Sequence, residues 1–450
     1  MPAEGHAASG RRVAVVGGGW AGLSAAVRAV DAGHTVTLFE MAPQLGGRAR
    51  RVVHDGIVLD NGQHILIGAY RDTLALMRRV GADPDRLLKR LPLALVDSSG
   101  TGLRLPPGPP ILAFVRAVFA QRAWSLRERL GLLAAAVRWR WAGFECDEEL
   151  SVAQLTRGLS ASVRQSLIEP LCVAALNTPA DRASARVFLR VLRDALFSGP
   201  GSADLLLPRA DLSRLLPHPA ADWLAARGVD IRLTARVTAL ERETGAWRVD
   251  GKAFDGVVLA CSAHEAARLT SPLAADWAAV ASAFQYEPII TVVVRSHDTR
   301  LPQAMTALAA DDLAPAQFVF DLGAIDGGGP RDGLFAFVVS GARRWSELGL
   351  AATAEATLNQ ASHTFAAGTW RHTPQVLRTY AERRATFLCT PGLRRPGSQI
   401  APGLSAAGDY VAGPYPATLE GAVRSGAAAV DALAFNAAQP AQTALRGARR

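Results

Sequence analysis

An α/β fold, with a parallel sheet assembled from distant parts of the chain and a second domain of mixed sheet and helices between them, is predicted by three observations. Residues 12–40 read as strand, glycine-rich turn, helix, strand and acid, in that order. Residues 403–426 read as a strand ending in Gly408-Asp409 and a helix beginning near Thr418. Between them, Val229–Leu240 and the stretch TGAWRVDGKAFDGVVLAC read as alternating strands with a tight turn at Asp250-Gly251.

Val13, Ala14, Val15 and Val16 form a short apolar run rich in β-branched residues, the pattern of a strand buried on both faces of a parallel sheet. Gly17-Gly18-Gly19-Trp20-Ala21-Gly22 follows, and Gly17, Gly19 and Gly22 match the spacing G-x-G-x-x-G. The first glycine permits a tight turn, the second brings a diphosphate to the backbone, and the third lets helix and strand approach. Leu23–Ala32 reads as a helix of small residues whose N-terminus would face that diphosphate, with Gly33 at its C-terminal cap. His34–Phe39 is a second strand. It leads into Glu40, with Met41 beside it, 18 residues beyond Gly22, where a carboxylate accepts the ribose hydroxyls of an adenosine. This unit alone leaves NAD and FAD both open.

At 450 residues the chain can bury a large core without disulfides or a structural metal. With 49% hydrophobic and 20% charged residues it belongs with globular chains and not with disordered ones. Cys146, Cys172, Cys261 and Cys389 form no CxxC pair, which argues against a zinc site or disulfide framework and for a reducing, cytoplasmic setting. The tail MPAEGHAASGRR lacks the apolar stretch of a signal peptide, and no run reaches the ~18 apolar residues of a membrane span. A net charge of +9 and a pI near 10.1 favour contact with something anionic. Lys89 and Lys252 are the two lysines, so the excess is arginine, and no nucleic-acid-binding module accompanies it.

Leu45-Gly46-Gly47-Arg48-Ala49-Arg50 extends the first motif, and with it the N-terminal region resembles the superfamily of flavin amine oxidases, protoporphyrinogen oxidases and phytoene desaturases. The resemblance implies FAD, with Gly47 and Arg48 along the diphosphate and flavin. It extends to GLSAAGDYVAGPYPATLEGAVRSG, where Gly408 and Asp409 would meet the ribityl or pyrophosphate oxygens and Leu419 and Glu420 would place a helix N-terminus at the flavin ring. A helix dipole there stabilises negative charge on a reduced flavin. Val237 takes the place where the family meets the adenine through its backbone. The implied fold is a discontinuous Rossmann-like FAD-binding domain of residues 1–75, 205–285 and 390–450, with a substrate-binding domain of residues 76–204 and 286–389.

Asp60-Asn61-Gly62-Gln63-His64-Ile65-Leu66-Ile67-Gly68-Ala69-Tyr70 follows, a stretch that passes the reactive face of the flavin in related enzymes, with Gln63 and His64 against the cofactor. It resembles the hydroxysqualene dehydroxylases, the squalene-associated branch of the phytoene desaturase family in hopanoid biosynthesis. The resemblance implies a long-chain isoprenoid substrate, hydroxysqualene, whose hydroxyl leaves as water while reduced flavin delivers hydride to give squalene. That chemistry needs a general acid, a dry pocket and an electron donor that the sequence does not identify. His64 is the chosen acid, with Asp60 and Glu169 as alternatives. No metal is expected.

The alternative within this fold is a carotenoid-type phytoene desaturase or isomerase running in the oxidative direction; a non-catalytic prenyl-chain escort is a further one. An amine oxidase is disfavoured, since neither lysine suits that family's flavin-facing position: Lys252 falls in a hairpin and Lys89 in a charged helix. Ala417-Thr418 also replaces its aromatic cage residue. Residues 111–144 read as two amphipathic helices, broken at Trp124-Ser125, whose aromatics and arginines suit an anionic membrane surface, so peripheral contact with the inner face of the cytoplasmic membrane is expected. The segment from Glu169-Pro170-Leu171-Cys172 to Asn177-Thr178-Pro179 is expected to end one helix and start another beside the substrate.

Overall fold

The computed structural model describes residues 10–433; the first nine residues of the tail and the end of the segment 390–450 lie outside the described residues. Strand β1 (Arg12–Val16) lies inside a six-stranded sheet, in the order Asp230–Arg232, β2 (Thr35–Phe39), β1, Gly256–Leu259, Leu404–Ala406, Gln399–Ala401. Every pairing is parallel except the last. Val13, Ala14 and Val15 are 0% exposed, which is why this strand is a continuous apolar run with no alternation. Because the strands run parallel, the glycine loop, Glu40, Ala260 and Gly408-Asp409 all emerge at the same edge of the sheet. That edge is where open α/β sheets bind ligands.

Helix α1 (Trp20–Asp31) follows the glycine loop and ends as expected, with Gly33 at φ +81°. The amides of Gly33 and His34 donate to Val30 and Ala29, the paired bonds of a Schellman cap. Against α1 packs the C-terminal helix Leu419–Asp431, whose closeness depends on Gly426: a Cβ there would stand 2.2 Å from the Ala21 carbonyl oxygen. The Ser24 hydroxyl, donating to Val423 O at 2.7 Å, ties the two helices together. Residues 399 apart in sequence thus share one helix–helix seam.

A second, antiparallel sheet of five strands has the order Met305–Ala307, Phe318–Asp321, Leu334–Val339, Tyr286–Arg295, Gln375–Phe387. Helices Pro110–Ala120 and Leu126–Trp141 realise the amphipathic pair, separated by a turn in which Ser125 forms a reciprocal capping box with Glu128. Their aromatics divide: Phe119 and Trp141 are exposed, whereas Trp124, Trp139 and Phe144 are buried in the core.

Three local expectations are corrected. The strand expected over Val229–Leu240 stops at Arg232, Thr234 takes a left-handed φ of +53°, and pairing resumes at Leu240, so Val237 lies in a connecting segment. The segment from Glu169 to Pro179 ends one helix as expected, since a helical rod runs from Ala161 through a π-turn at Arg164–Ile168 to Leu176 and Asn177 closes it in the left-handed conformation, but the next helix begins only at Ala185, beyond that segment. The π-turn absorbs Pro170, whose missing N–H then falls near the start of the α-helical part. Lys89 sits in the strand Leu88–Leu91, paired with Leu205–Pro208, and its ammonium donates to Ala324 O at 2.6 Å.

Gly426→Val is expected to force the two helices apart and cost about 1–3 kcal/mol, seen as a lower calorimetric melting temperature. An unchanged melting temperature would mean that the seam tolerates a side chain.

Candidate active site

The glycine loop has the geometry its spacing demands. Gly17 sits at φ +113°, and a Cβ on it would lie 2.5 Å from Ala260 O; a Cβ on Gly22 would lie 1.8 Å from Gly17 O. Gly19 is different. Its Cβ would meet nothing nearer than the Gly47 Cα at 3.8 Å, so the backbone here is bare on one side. α1 begins at Trp20 with no side-chain cap and no acid in its first turn, leaving its N–H groups and positive dipole end for an anion.

The Gly46-Gly47 loop lies beside it. The Gly46 amide donates to Gly18 O at 2.9 Å, and the Trp20 indole N–H donates to Ala49 O at 2.9 Å, so Trp20 and Ala21 are buried and Trp20 pins the loop with its side chain. Glu40 is also buried. Its Oε2 accepts from the Gly18 amide at 2.6 Å and its Oε1 from the Ala42 amide at 2.7 Å, each oxygen keeping a further lone pair for a hydroxyl. Met41 beside it is 58% exposed. Val237 is buried, and its carbonyl accepts from Arg268 Nη2 at 2.8 Å, which occupies part of the backbone expected to meet an adenine.

Arg48 joins the distant parts. Nη2 meets Asp409 Oδ1 at 2.6 Å, and Nη1 donates to Ala385 O at 2.7 Å and Arg384 O at 3.2 Å on the second sheet. The Asp409 carboxylate raises the Arg48 pKa above its ordinary value, against the opposing effect of burial. The Gly408 amide donates to Ser425 Oγ at 2.8 Å, and Thr418 caps the following helix by accepting from the Gly421 amide at 3.0 Å. Leu419 is the first residue of that helix.

The Glu420 side chain has a capping task of its own. It is 1% exposed and accepts from Thr73 N at 2.9 Å, Thr73 Oγ1 at 2.7 Å and Asp72 N at 3.2 Å, so it caps the helix Arg71–Arg79. That helix has no cap of its own, and the physical demand of its N-terminus captures the carboxylate.

The Asp60–Tyr70 stretch crosses between the two sheets. Asn61 Nδ2 donates to Arg48 O at 3.0 Å and to Glu382 Oε2 at 3.3 Å; the Tyr380 hydroxyl donates to Asp60 O and accepts from the Gly62 amide at 3.3 Å. His64 Nδ1 faces Gly62 O at 3.0 Å, which assigns the proton to Nδ1 and leaves Nε2 as an acceptor in the neutral ring. Burial holds the His64 pKa below the ordinary histidine value, and Arg48 adds to that while Gly62 O and Glu382 oppose it. Gln63 next to it is half-buried.

Asp60 points elsewhere. Its side chain, 11% exposed, accepts from the Leu212 amide at 2.7 Å and faces Arg331 Nη1 at 3.9 Å, in a buried group with Asp326. Burial pushes its pKa up to about 7, with the Leu212 bond and Arg331 opposing. Glu169 starts the α-helical part of the rod described above, and the hydrogen bonds just described do not join it to His64, Asn61 or Arg48. Tyr380 and Glu382 were not among the residues chosen from sequence. They stand two apart on one strand, so strict alternation along QVLRTYAERRATF puts them on the same face, which is the signal that identifies them.

A glycine-cradled helix N-terminus, an acid after β2 and a charged pair joining the second glycine loop to the last parallel strand define a nucleotide-dependent oxidoreductase fold. The chain belongs to the family described as flavin containing amine oxidoreductase, which it matches over residues 20–434, and its cofactor is FAD. Over 94% of this chain and 98% of the relative it is 29% identical to the hydroxysqualene dehydroxylase of Rhodopseudomonas palustris. With the enzyme of the same name from Sinorhizobium fredii it shares 27% over the same proportions. A zeta-carotene desaturase of Synechocystis is 26% identical over 55% of this chain and 54% of its own length. Among solved structures, an oxidoreductase from Methanosarcina mazei superposes with a TM-score of 0.72 at 17% identity, covering 93% of this chain and 100% of that one. No helix among the described residues is long and apolar enough to cross a membrane.

Asp60 generates a prediction for stability. Its pKa is about 7 folded against 3.8 unperturbed, so between these values the folded chain holds a proton that the unfolded chain has lost. Stability from this group is therefore complete below the unfolded value and declines as pH rises towards 7, by at most about 1.4 kcal/mol per pH unit. Asp60→Asn, which keeps an acceptor for Leu212 N, should flatten urea-unfolding midpoints across that window and be the more stable protein above it. Parallel wild-type and variant curves would refute the assignment.

Proposed function

We propose that the protein reductively removes the hydroxyl of hydroxysqualene to give squalene. The observation that carries this is similarity to hydroxysqualene dehydroxylases over 94% of this chain and 98% of the relatives, whereas the similarity to a carotene desaturase reaches 63% of this chain and 66% of that relative. FAD, when bound and reduced, supplies the hydride; a proton from the protein leaves with the hydroxyl as water, and C–O is exchanged for C–H. The electrons come from an external donor.

In this reading Gly17, Gly18, Gly19, Trp20, Ala21 and Gly22 offer backbone to the diphosphate, Glu40 and Met41 flank the adenosine ribose, and Gly47, Arg48, Gly408 and Asp409 hold the centre of the cofactor. Gln63, His64 and the backbone at Leu419 and Glu420 face the flavin, and the backbone near Val237 the adenine. His64 handles the proton. With Nδ1–H fixed on Gly62 O, the free Nε2 is the atom that can carry it, and a lowered pKa makes the imidazolium a willing donor. Glu382, joined to the same stretch through Asn61, supplies the compensating negative charge.

The test is anaerobic incubation of the reduced holoenzyme with hydroxysqualene and of the oxidised form with phytoene, with products identified by mass spectrometry. Squalene from the first is expected; its absence, or desaturated product from the second, overturns the proposal. His64→Ala with FAD bound is expected to lose turnover, and full retention would remove the histidine from the mechanism.

We also propose that the protein rests on the inner face of the cytoplasmic membrane through the helix Leu126–Trp141. Leu126 (60% exposed), Leu130 (51%), Val137 (48%) and Trp141 (85%) are spaced i, i+4, i+11 and i+15, so one helix face is an exposed apolar stripe. Arg127, Arg129, Arg138 and Arg140 interleave with it, suiting anionic headgroups. Leu126→Ser combined with Trp141→Ser should abolish co-sedimentation with phosphatidylglycerol vesicles while leaving bound FAD unchanged. Undiminished sedimentation would place the contact elsewhere.

A further inference from the structure

Arg395 belongs to neither of the flavin motifs read above and lies in the connection between the strands Gln375–Phe387 and Gln399–Ala401. A guanidinium has five N–H bonds in a fixed plane. Here all five are directed at main-chain carbonyls of one short loop. Nε donates to Tyr410 O at 3.2 Å; Nη1 donates to Tyr415 O at 2.7 Å and Gly413 O at 2.9 Å; Nη2 donates to Asp409 O and Val411 O. The Phe387 ring lies 4.9 Å beneath, fixing the plane of the group. No donor remains for a carboxylate.

This is an unusual use of a charge. Burial pulls the Arg395 pKa below the ordinary arginine value, so the site is costly for a cation, and what offsets that cost is the ring of carbonyl dipoles, with the Asp409 carboxylate adding a favourable charge. In return the loop has a core. Residues 409–415 form neither helix nor strand, and five carbonyls converging on one point would repel one another without a cation at the centre. The loop begins at Asp409, which pairs with Arg48, and ends three residues before Thr418, which caps the C-terminal helix. Its curvature therefore sets two things at once: where the Asp409 carboxylate stands, and where the N-terminus of the helix Leu419–Asp431 is aimed.

We propose that Arg395 is a positioning residue for the flavin, holding the loop 409–415 so that Asp409 and the following helix N-terminus are preorganised as one half of the cofactor site. This rests on the reading of Asp409 as a flavin-facing residue. Lysine cannot substitute, since it offers three donors from a point and none of the planar fork.

The experiment compares wild-type holoenzyme with Arg395→Lys and, separately, Asp409→Asn. Three quantities are measured: FAD affinity by fluorescence titration of the deflavinated protein, the visible absorption spectrum of bound flavin, and the melting temperature of each apoprotein. Arg395→Lys is expected to weaken FAD binding at least about tenfold and to shift the flavin absorption bands, with the apoprotein melting temperature close to wild type. A fall in apoprotein melting temperature with unchanged FAD affinity and spectrum would make Arg395 a stability residue only and overturn the proposal. If Arg395→Lys does not fold, Phe387→Leu carries the same test, because it keeps every hydrogen bond and removes only the ring that fixes the plane; an unaltered affinity and spectrum there also overturns it. Should Asp409→Asn leave FAD affinity untouched, the flavin-facing reading of Asp409 fails, and the proposal falls with it for that distinguishable reason.

Discussion

The contact between Arg48 and Asp409 joins residues 361 apart and fixes the relation of everything around them. Arg48 hangs from the second glycine loop, which is itself bridged to the first; Asp409 ends the strand that arrives last in the parallel sheet; and the remaining donors of Arg48 reach the second sheet. With the arginine side chain 42% exposed and the aspartate 10%, the pair lies between an exposed ion pair worth about 0–1 kcal/mol and a buried one whose disruption costs about 3–5 kcal/mol. Its importance is geometric more than energetic. It places a cation and an anion, both with bonding capacity left, at the edge where the loops of a parallel sheet converge.

That edge was legible in the sequence because each of its parts obeys a local rule. Gly17 must have positive φ, Gly22 must lack a side chain, and Val13 to Val15 must be apolar on both faces; each requirement leaves a mark on the residue itself. The C-terminal half was legible for the same reason, from Gly408-Asp409 and the Thr418 cap. What failed did so where a distant partner decides. The task of the Glu420 carboxylate was not legible: it goes to the otherwise uncapped helix at Arg71, where Thr73 lies 347 residues away in the chain. Nothing near Glu420 in sequence announces that need. Val237 was placed in a strand by alternation, but the tract breaks at Thr234 because sheet pairing, not propensity, determines where a strand ends.

Arg395 illustrates the same limit from the other side. In sequence it is one arginine among many, beside Arg394 and before a proline. Its significance arises only when a loop without regular structure needs its carbonyls gathered, and the loop wraps around it. Polar residues whose role is to satisfy backbone are almost invisible to pattern reading, because the backbone they serve has no side-chain identity.

The same accounting bears on the chemistry proposed for the site. Around His64, lone pairs and N–H groups are largely paired among themselves: Nδ1 with Gly62 O, Tyr380 with Asp60 O and the Gly62 amide, Asn61 with Arg48 O and Glu382. Loss of water from an allylic alcohol leaves a carbocation, which any unpaired nucleophile nearby would capture before hydride arrives. A stretch whose polar atoms are largely engaged, flanked by the half-buried Ile65 and Ile67, offers such a cation apolar surface and few lone pairs. Asp60 fits this logic as well. A carboxylate whose pKa burial raises to about 7, and which is turned towards Leu212 and Arg331, is a weaker trap than a fully ionised one aimed at the substrate. The requirement that the polar groups be silent towards carbon, apart from one that handles a proton, is a stricter constraint than the presence of an acid. In the proposed reaction a histidine with a depressed pKa suits this position better than a fully ionised carboxylate, which has no proton to give.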